Sequence, residues 1–181
     1  MAKNIFMNPN ADEIYDPHSR FDSSNLIHPT AIIYDNVTMG KNNVIGAYSV
    51  IGSNGEIRGV KQSDFKGTVT IGDRNVISEH VTIQRPFESG ESTIIGDNNL
   101  IMAHSHLGHQ VVVGNDTEIC TGVILGGYSV VEDGAKLKLG VTVRNRKRIG
   151  TKALVGLGSA VVKDVTAGSI VVGNPAKPMI K

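Results

Sequence analysis

The chain has 181 residues, 40% of them hydrophobic but only 4% aromatic, with 21 Gly and no Trp. One domain is expected, with a core of small aliphatic side chains. A formal net charge of +1 argues against broad attraction to nucleic acid or to a membrane surface, and the lone Cys120 excludes an intrachain disulfide and suits a reducing, cytoplasmic compartment.

From the N-terminus, residues 1–26 are polar and without periodicity (PNADEIYDPHSRFDSS includes two prolines), and read as an arm or a cap. They contain no apolar run of the kind a secretory signal needs, and no later window approaches the ~20 apolar residues of a membrane span. At Ile27 a six-residue period begins: Ile27, Ile33, Met39, Ile45, Ile51. From Ile51 to Ile71 the step is 20 residues, not a multiple of six, so about 57–70 (IRGVKQSDFKGTVT) loops out as an insertion. The period resumes at Ile71, Ile77 and Ile83, breaks once at Ser89, and then runs through thirteen aliphatic positions from Ile95 to Ala167. The fifth place of each hexad is mostly small or β-branched, as in Ser105, Val111, Thr117 and Val123, and the second is often Gly, as in Gly96, Gly108 and Gly114. Residues 173–181 leave the pattern as a C-terminal tail that caps the other end.

A period of six fits neither an α-helix nor a flat sheet. It fits short strands joined by tight corners, three hexads to a turn, in an all-β parallel β-helix. With strands ~4.8 Å apart, about seven coils make a triangular prism roughly 35 Å tall. Places one and five face inward, each aliphatic side chain contributing ~1.5–3 kcal/mol of burial. The corner glycines are expected to permit backbone angles that other residues resist.

The segment AHSHLGHQ (103–110) holds three of the six histidines, His104, His106 and His109. By register they occupy places four, six and three, so none is a core residue. Eighteen residues separate equivalent positions on successive coils, which stacks His109 on Gly127 and then Asn145, and Gln110 on Tyr128 and then Arg146. A base beside a bare backbone N–H is an acyl-transfer geometry. The segment VRNRKRIG (143–150) gathers Arg144, Arg146, Lys147 and Arg148, cations suited to phosphate or to an acidic protein surface. Asp73 and Asp97, in IGDRN and IGDNN, read as corner formers, and Cys120 as structural.

The motifs IGDRNVISEHVTIQRP (71–86), IGDNNLIMAHSHLGHQVVVGN (95–115) and LGGYSVV (125–131) resemble the hexapeptide-repeat acyltransferases, above all the UDP-N-acetylglucosamine acyltransferases of lipid A synthesis. The resemblance implies a left-handed coil and a homotrimer with sites between neighbouring prisms. It also implies acyl transfer to a nucleotide-linked sugar from an acyl carrier protein thioester or acyl-coenzyme A, with no bound cofactor or metal. It maps the general base to His109, a substrate contact to His106, the oxyanion donor to the Gly127 N–H, and a substrate- or donor-contacting lysine to Lys61. Gln110 stands where the family has an Asp. A carboxylate there would stabilise the imidazolium and hold its tautomer, whereas a neutral amide orients the ring. Tyr128 and Arg144 stand where the family has further histidines; Gln110 and Tyr128 are assigned to the substrate, and Arg144, Arg146 and Arg148 to donor phosphates.

The end of the repeat, AGSIVVGNPAKP, resembles instead the small acetyl-coenzyme-A-dependent sugar acetyltransferases, which keeps O- or N-acetylation open. Two further alternatives stand beside it. His104 and His109 have the HxxxxH spacing of the zinc-binding γ-class carbonic anhydrases, with His80 upstream, but in different hexad places, so one step of register turns a ring from the point where tetrahedral ligands must converge. A non-catalytic scaffold is the other.

Overall fold

The structure is a computed structural model that describes residues 19–179; most of the expected N-terminal arm, residues 1–18, lies outside the described residues. Two-residue strands recur along the chain and stack into three parallel sheets of nine, seven and six strands, which form the three faces of a prism. The first face runs from Leu26–Ile27 through Leu100–Ile101 to Ile170–Val172. The second carries Val50–Asn54, Thr82–Arg85, His106–Leu107 and Ile124–Leu125; the third carries Thr68–Ile71, Ser92–Ile95, Val112–Val113 and Val130–Val131.

Alternation within each strand builds the core, because neighbouring side chains point to opposite faces. Ile101, Leu107, Ile119, Leu125, Val131 and Leu137 are fully buried, and the fifth-place residues Val111, Val123, Ser129 and Ala135 fill the corners beside them. One inner corner carries polar residues. Asn43, Asn75, Asn99 and Thr117 form a buried ladder in which each side-chain oxygen accepts from the next coil: the Asn99 N–H donates to Asn75 Oδ1 at 2.9 Å and the Thr117 N–H to Asn99 Oδ1 at 2.9 Å. Asn99 Nδ2 also donates to the Gly114 carbonyl at 2.9 Å. The backbone turn at that corner is thus satisfied inside the prism, as buried polar groups require.

The corners correct one expectation. The left-handed residue is place four of the hexad, and it is mostly not glycine: Tyr48, His80, His104, Gln110, Tyr128 and Arg146 all have φ between 55° and 62°. The place-two glycines serve another purpose, close approach of the next coil. A Cβ on Gly96 would lie 2.5 Å from the Gly114 carbonyl oxygen.

Register shows where the coil departs from period eighteen. Ile51 pairs with Ile83, a step of 32, because residues near 55–67 leave the coil, with a short 3-10 turn at Gln62–Asp64. Ile83 pairs with Leu107 and Ile95 with Val113, steps of 24 and 18. The corner between Ile83 and Ile95 therefore holds six residues more than the corner between Leu107 and Val113. The break at Ser89 is a second excursion, one hexad long, at the same corner as the first and one coil later. At the far end Ile149 bridges Val165 and Val155 pairs with Val171, steps of 16, so the inward row ends on Val165 and Val171 and leaves Ala167 exposed.

Both described ends of the prism are covered. Phe21 packs against the core, and the Arg20 guanidinium donates to the Tyr34 and Asp35 carbonyls. At the other end Lys177–Pro178 folds back antiparallel on Ile170–Val172, closing an edge that would otherwise be open to pairing. Among the described residues no helix is long and apolar enough to cross a membrane.

Replacing Asn99 by Ala strips partners from Thr117, Asn75 and Gly114 at once. The expected loss is about 1–3 kcal/mol for each buried group left unpaired, read as a lower midpoint in urea denaturation.

Candidate active site

The two excursions meet over His109. The Lys66 N–H donates to the Phe87 carbonyl at 3.0 Å, the Gly67 N–H to the Pro86 carbonyl at 3.2 Å, and Phe65 and Phe87 stack edge to face with centroids 5.9 Å apart. Phe65, at 2% exposure, anchors the first loop. At its root Gly55 presses on the imidazole so closely that a Cβ there would lie 3.1 Å from His109 Cβ and 3.2 Å from Cδ2.

From the following coil Gly127 approaches the other side. A Cβ on Gly127 would fall 2.7 Å from His109 Cε1 and 2.8 Å from Nε2. The ring is thus clamped between two glycines, each needed for a close approach rather than for a backbone angle. Around Gly127 the coil is bonded in the ordinary way: the Gly126 N–H donates to the Val143 carbonyl and the Tyr128 N–H to the His109 carbonyl, both at 2.9 Å, while the Gly127 N–H makes none of the backbone hydrogen bonds between coils. At the IGD corners the amide at the same hexad place is taken by a side chain from the next coil: Asp97 N–H by Asn115 Oδ1, Asn115 N–H by Asp133 Oδ1.

His109 Nδ1 is hydrogen-bonded to Gln110 Oε1. Gln110, 8% exposed, is held by its own N–H to Thr93 Oγ1 at 3.0 Å, and Thr93 Oγ1 donates to the Gln84 carbonyl at 2.7 Å. Gln110 Nε2 donates to Glu88 and, at 2.7 Å, to Glu91, both on the second excursion; Tyr128 Oη lies 3.1 Å from the same nitrogen. Burial and the two carboxylates push the Tyr128 phenol above its usual range, so it stays protonated and able to donate to Glu88.

His106 lies on the outer side of the second face, half-buried, with Nδ1 2.7 Å from Thr82 Oγ1. Burial lowers its basicity, the charge of Glu56 opposing and His109 adding to the effect. His106 and His109 thus share one rim. His104 is elsewhere: its ring stacks on His80, centroids 4.9 Å apart, and His80 on Tyr48 at 5.2 Å, so the HxxxxH pair does not converge within this chain.

The arginine coil divides. The Arg146 guanidinium lies 4.0 Å over the Tyr128 ring, beside the site. Arg148 points along the third face and donates to Glu132 Oε1 at 2.5 Å, and Lys147 pairs with Asp164 at 3.7 Å, so both already have counter-charges. Arg144 is exposed on the second-face strand Thr142–Val143 side of the same corner. Lys61, at the start of the 3-10 turn, is exposed on the first loop, and no contact ties it to His109. The geometry therefore brings together His106, His109, Gln110, Gly127, Tyr128 and Arg146, and keeps Lys61, Arg144 and Arg148 apart from the ring. Gly55, Phe65, Glu88 and Glu91 were not anticipated; the interruption at Ser89 was their only trace.

The bacterial transferase hexapeptide (six repeats) family matches residues 92–127, the segment that carries His106, His109, Gln110 and Gly127. The chain is 35% identical over 190 residues to an acyl-[acyl-carrier-protein]–UDP-N-acetylglucosamine O-acyltransferase of Pseudomonas savastanoi, an alignment covering 88% of this chain and 73% of that protein. The chain belongs to this family. A relative of the same name from Pseudomonas paraeruginosa is 44% identical over 117 residues, which span 62% of this chain but 45% of the relative, so the chain matches less than half of that protein's length. Among solved structures, a UDP-N-acetylglucosamine acyltransferase from Bacteroides fragilis superposes with a TM-score of 0.81 at 28% identity, covering 86% of this chain and 60% of that one. One from Francisella novicida gives 0.70 at 28% identity, covering 88% and 69%. As in that family, the prism is a left-handed parallel β-helix.

The lowered basicity of His106 has a consequence for stability. Burial disfavours its imidazolium in the fold, so on acidification the unfolded chain takes up a proton first, and stability falls as pH drops below the ordinary histidine value of about 6.5. Urea titrations at pH 7.5 and 5.5 are expected to show a smaller difference in His106→Gln than in the parent chain.

Proposed function

We propose that the protein transfers an acyl group from a thioester to a hydroxyl of a UDP-N-acetylglucosamine-like nucleotide sugar, with His109 as general base. The observation that carries this reading is the imidazole held between Gly55 and Gly127, its Nδ1 engaged by Gln110 and its Nε2 beside a backbone N–H outside the coil's hydrogen bonding. The family relationship supports it.

The chemistry follows from that arrangement. His109 Nε2 takes the proton from the acceptor hydroxyl as the oxygen attacks the thioester carbonyl. The negative charge that develops on the carbonyl oxygen is met by the Gly127 N–H, a fixed dipole that needs no reorganisation. Collapse breaks the C–S bond, and His109 returns the proton to the departing sulfur. No covalent enzyme intermediate is required. His106, kept neutral by burial, is a hydrogen-bonding partner for the acceptor, with Gln110 and Tyr128 on the same rim. Lys61, Arg144 and Arg146 are the cations available to acceptor or donor phosphates; Arg148 would first have to leave Glu132. The family's donor, an acyl carrier protein thioester, is favoured over acyl-coenzyme A, in a cytoplasmic homotrimer whose neighbouring prism completes the groove.

Thiol release from acyl carrier protein thioesters and from acyl-coenzyme A, with UDP-N-acetylglucosamine as acceptor, tests the reading. Acceptor-dependent release is expected, reduced about 10²–10⁴-fold in His109→Ala. Release that is unchanged in His109→Ala would remove the base, and release equal with and without acceptor would remove the transferase. Gly127→Ala places a methyl against Nε2 and is expected to lower kcat about 10²-fold, the scale of a lost oxyanion contact, while circular dichroism of the folded chain is unchanged.

A further inference from the structure

A glutamine is an ambiguous partner for a histidine. Its amide offers a carbonyl oxygen on one side and an NH2 on the other, and the two are nearly the same shape. Turned one way, Gln110 accepts from Nδ1–H and leaves Nε2 with its lone pair. Turned the other way, it donates to Nδ1 and selects the tautomer protonated on Nε2, which cannot accept a proton from a substrate.

The second excursion removes the ambiguity. Ionised carboxylates are acceptors only, and Glu88 and Glu91 both converge on the far end of Gln110. Their like charges would drive them apart on an ordinary surface loop; here they share one amide nitrogen. Tyr128 reinforces the direction by donating to Glu88. The NH2 must therefore face the carboxylates, the oxygen must face His109, and Nδ1 must carry the proton. The other charged or titratable groups around the ring, His106 and Glu56 on the second-face side and Arg146 over Tyr128, do not touch the amide.

We propose that Glu88 and Glu91 are positioning residues that set the tautomer of His109 through Gln110, supplying across the coil the anionic acceptor that the family places directly after the histidine. This rests on His109 acting as the base, but its physical content, the direction of one amide and the site of one proton, can be read without turnover.

The experiment uses the full chain with ring-15N histidine, the His109 signals being assigned by their loss in His109→Ala. Above the histidine titration range, the parent chain is expected to show a protonated Nδ1 and a bare Nε2. In Glu88→Gln/Glu91→Gln the amide is released, and the signals move toward the form protonated on Nε2. Where acyl transfer is measurable, kcat falls about 10- to 100-fold, the usual cost of losing a group that orients a functional histidine, with KM little changed. Adding Gln110→Glu to that double variant puts an acceptor-only group back at Nδ1 and donors at positions 88 and 91. It is expected to restore the Nδ1–H signal and the turnover together. Unchanged ring signals in the double variant, or a triple variant that does not regain Nδ1–H, overturn the relay, whether or not acyl transfer is found. The expected signals without acyl transfer from any donor would keep the relay and remove the proposed reaction.

Discussion

The parallel pairing of one coil with the next controls everything else in this molecule. Each strand is held by backbone hydrogen bonds to its equivalents on the coils before and after it, and the aliphatic side chain between those bonds fills the same inward column. A solenoid of this kind has no freedom to slide, because a one-residue slip would turn every inward side chain out. What a corner presents is therefore set against what the next corner presents. His109 lies on Gly127 and Gln110 beside Tyr128 for the same reason that Leu107 lies on Leu125: the ladder brings them there.

Once the interior is committed to packing, chemistry is left to the corners and to whatever is inserted in them. Both excursions occupy the corner between the second and third faces, on the two coils preceding His109, and they pack on each other through Phe65 and Phe87. The coil's own corner supplies the imidazole, the glycine contact and the phenol. The inserted loops supply burial and charge. Neither alone makes the site, since the coil without the loops would leave the His109 ring open on its Gly55 side, and Gln110 would have no anion to face.

Much of this was legible in the residues. The inward columns, the coil count, the insertion after Ile51 and the stacking of His109 and Gln110 on Gly127 and Tyr128 all follow from counting by six. Other features were beyond counting. The hexad inserted after Ile83 has the length of the period itself, so it leaves the phase of the aliphatic row untouched and shows only as a polar interruption at Ser89. The shortening by two residues near the end was masked because Ala167 kept the expected residue type while Val165 and Val171 took its place in the core. The corner glycines were placed correctly but for the wrong cause, since spacing reveals that a small residue recurs without revealing whether a backbone angle or a neighbour's carbonyl demands it.

Sequence by itself determined the architecture and the candidate base, because a period of six with inward aliphatic residues has one economical solution, three short strands per turn stacked in parallel. Only the tertiary structure decided the surroundings of that base. Arg148 and Lys147 turned out to be engaged by Glu132 and Asp164 on outer faces, and Glu88 and Glu91, outside the repeat, came to face Gln110. The physical reason is that a repeat specifies position along the coil, whereas hydrogen-bond partners depend on where irregular loops cross it, and the paths of those loops are governed by contacts such as Phe65 against Phe87 that no periodicity encodes.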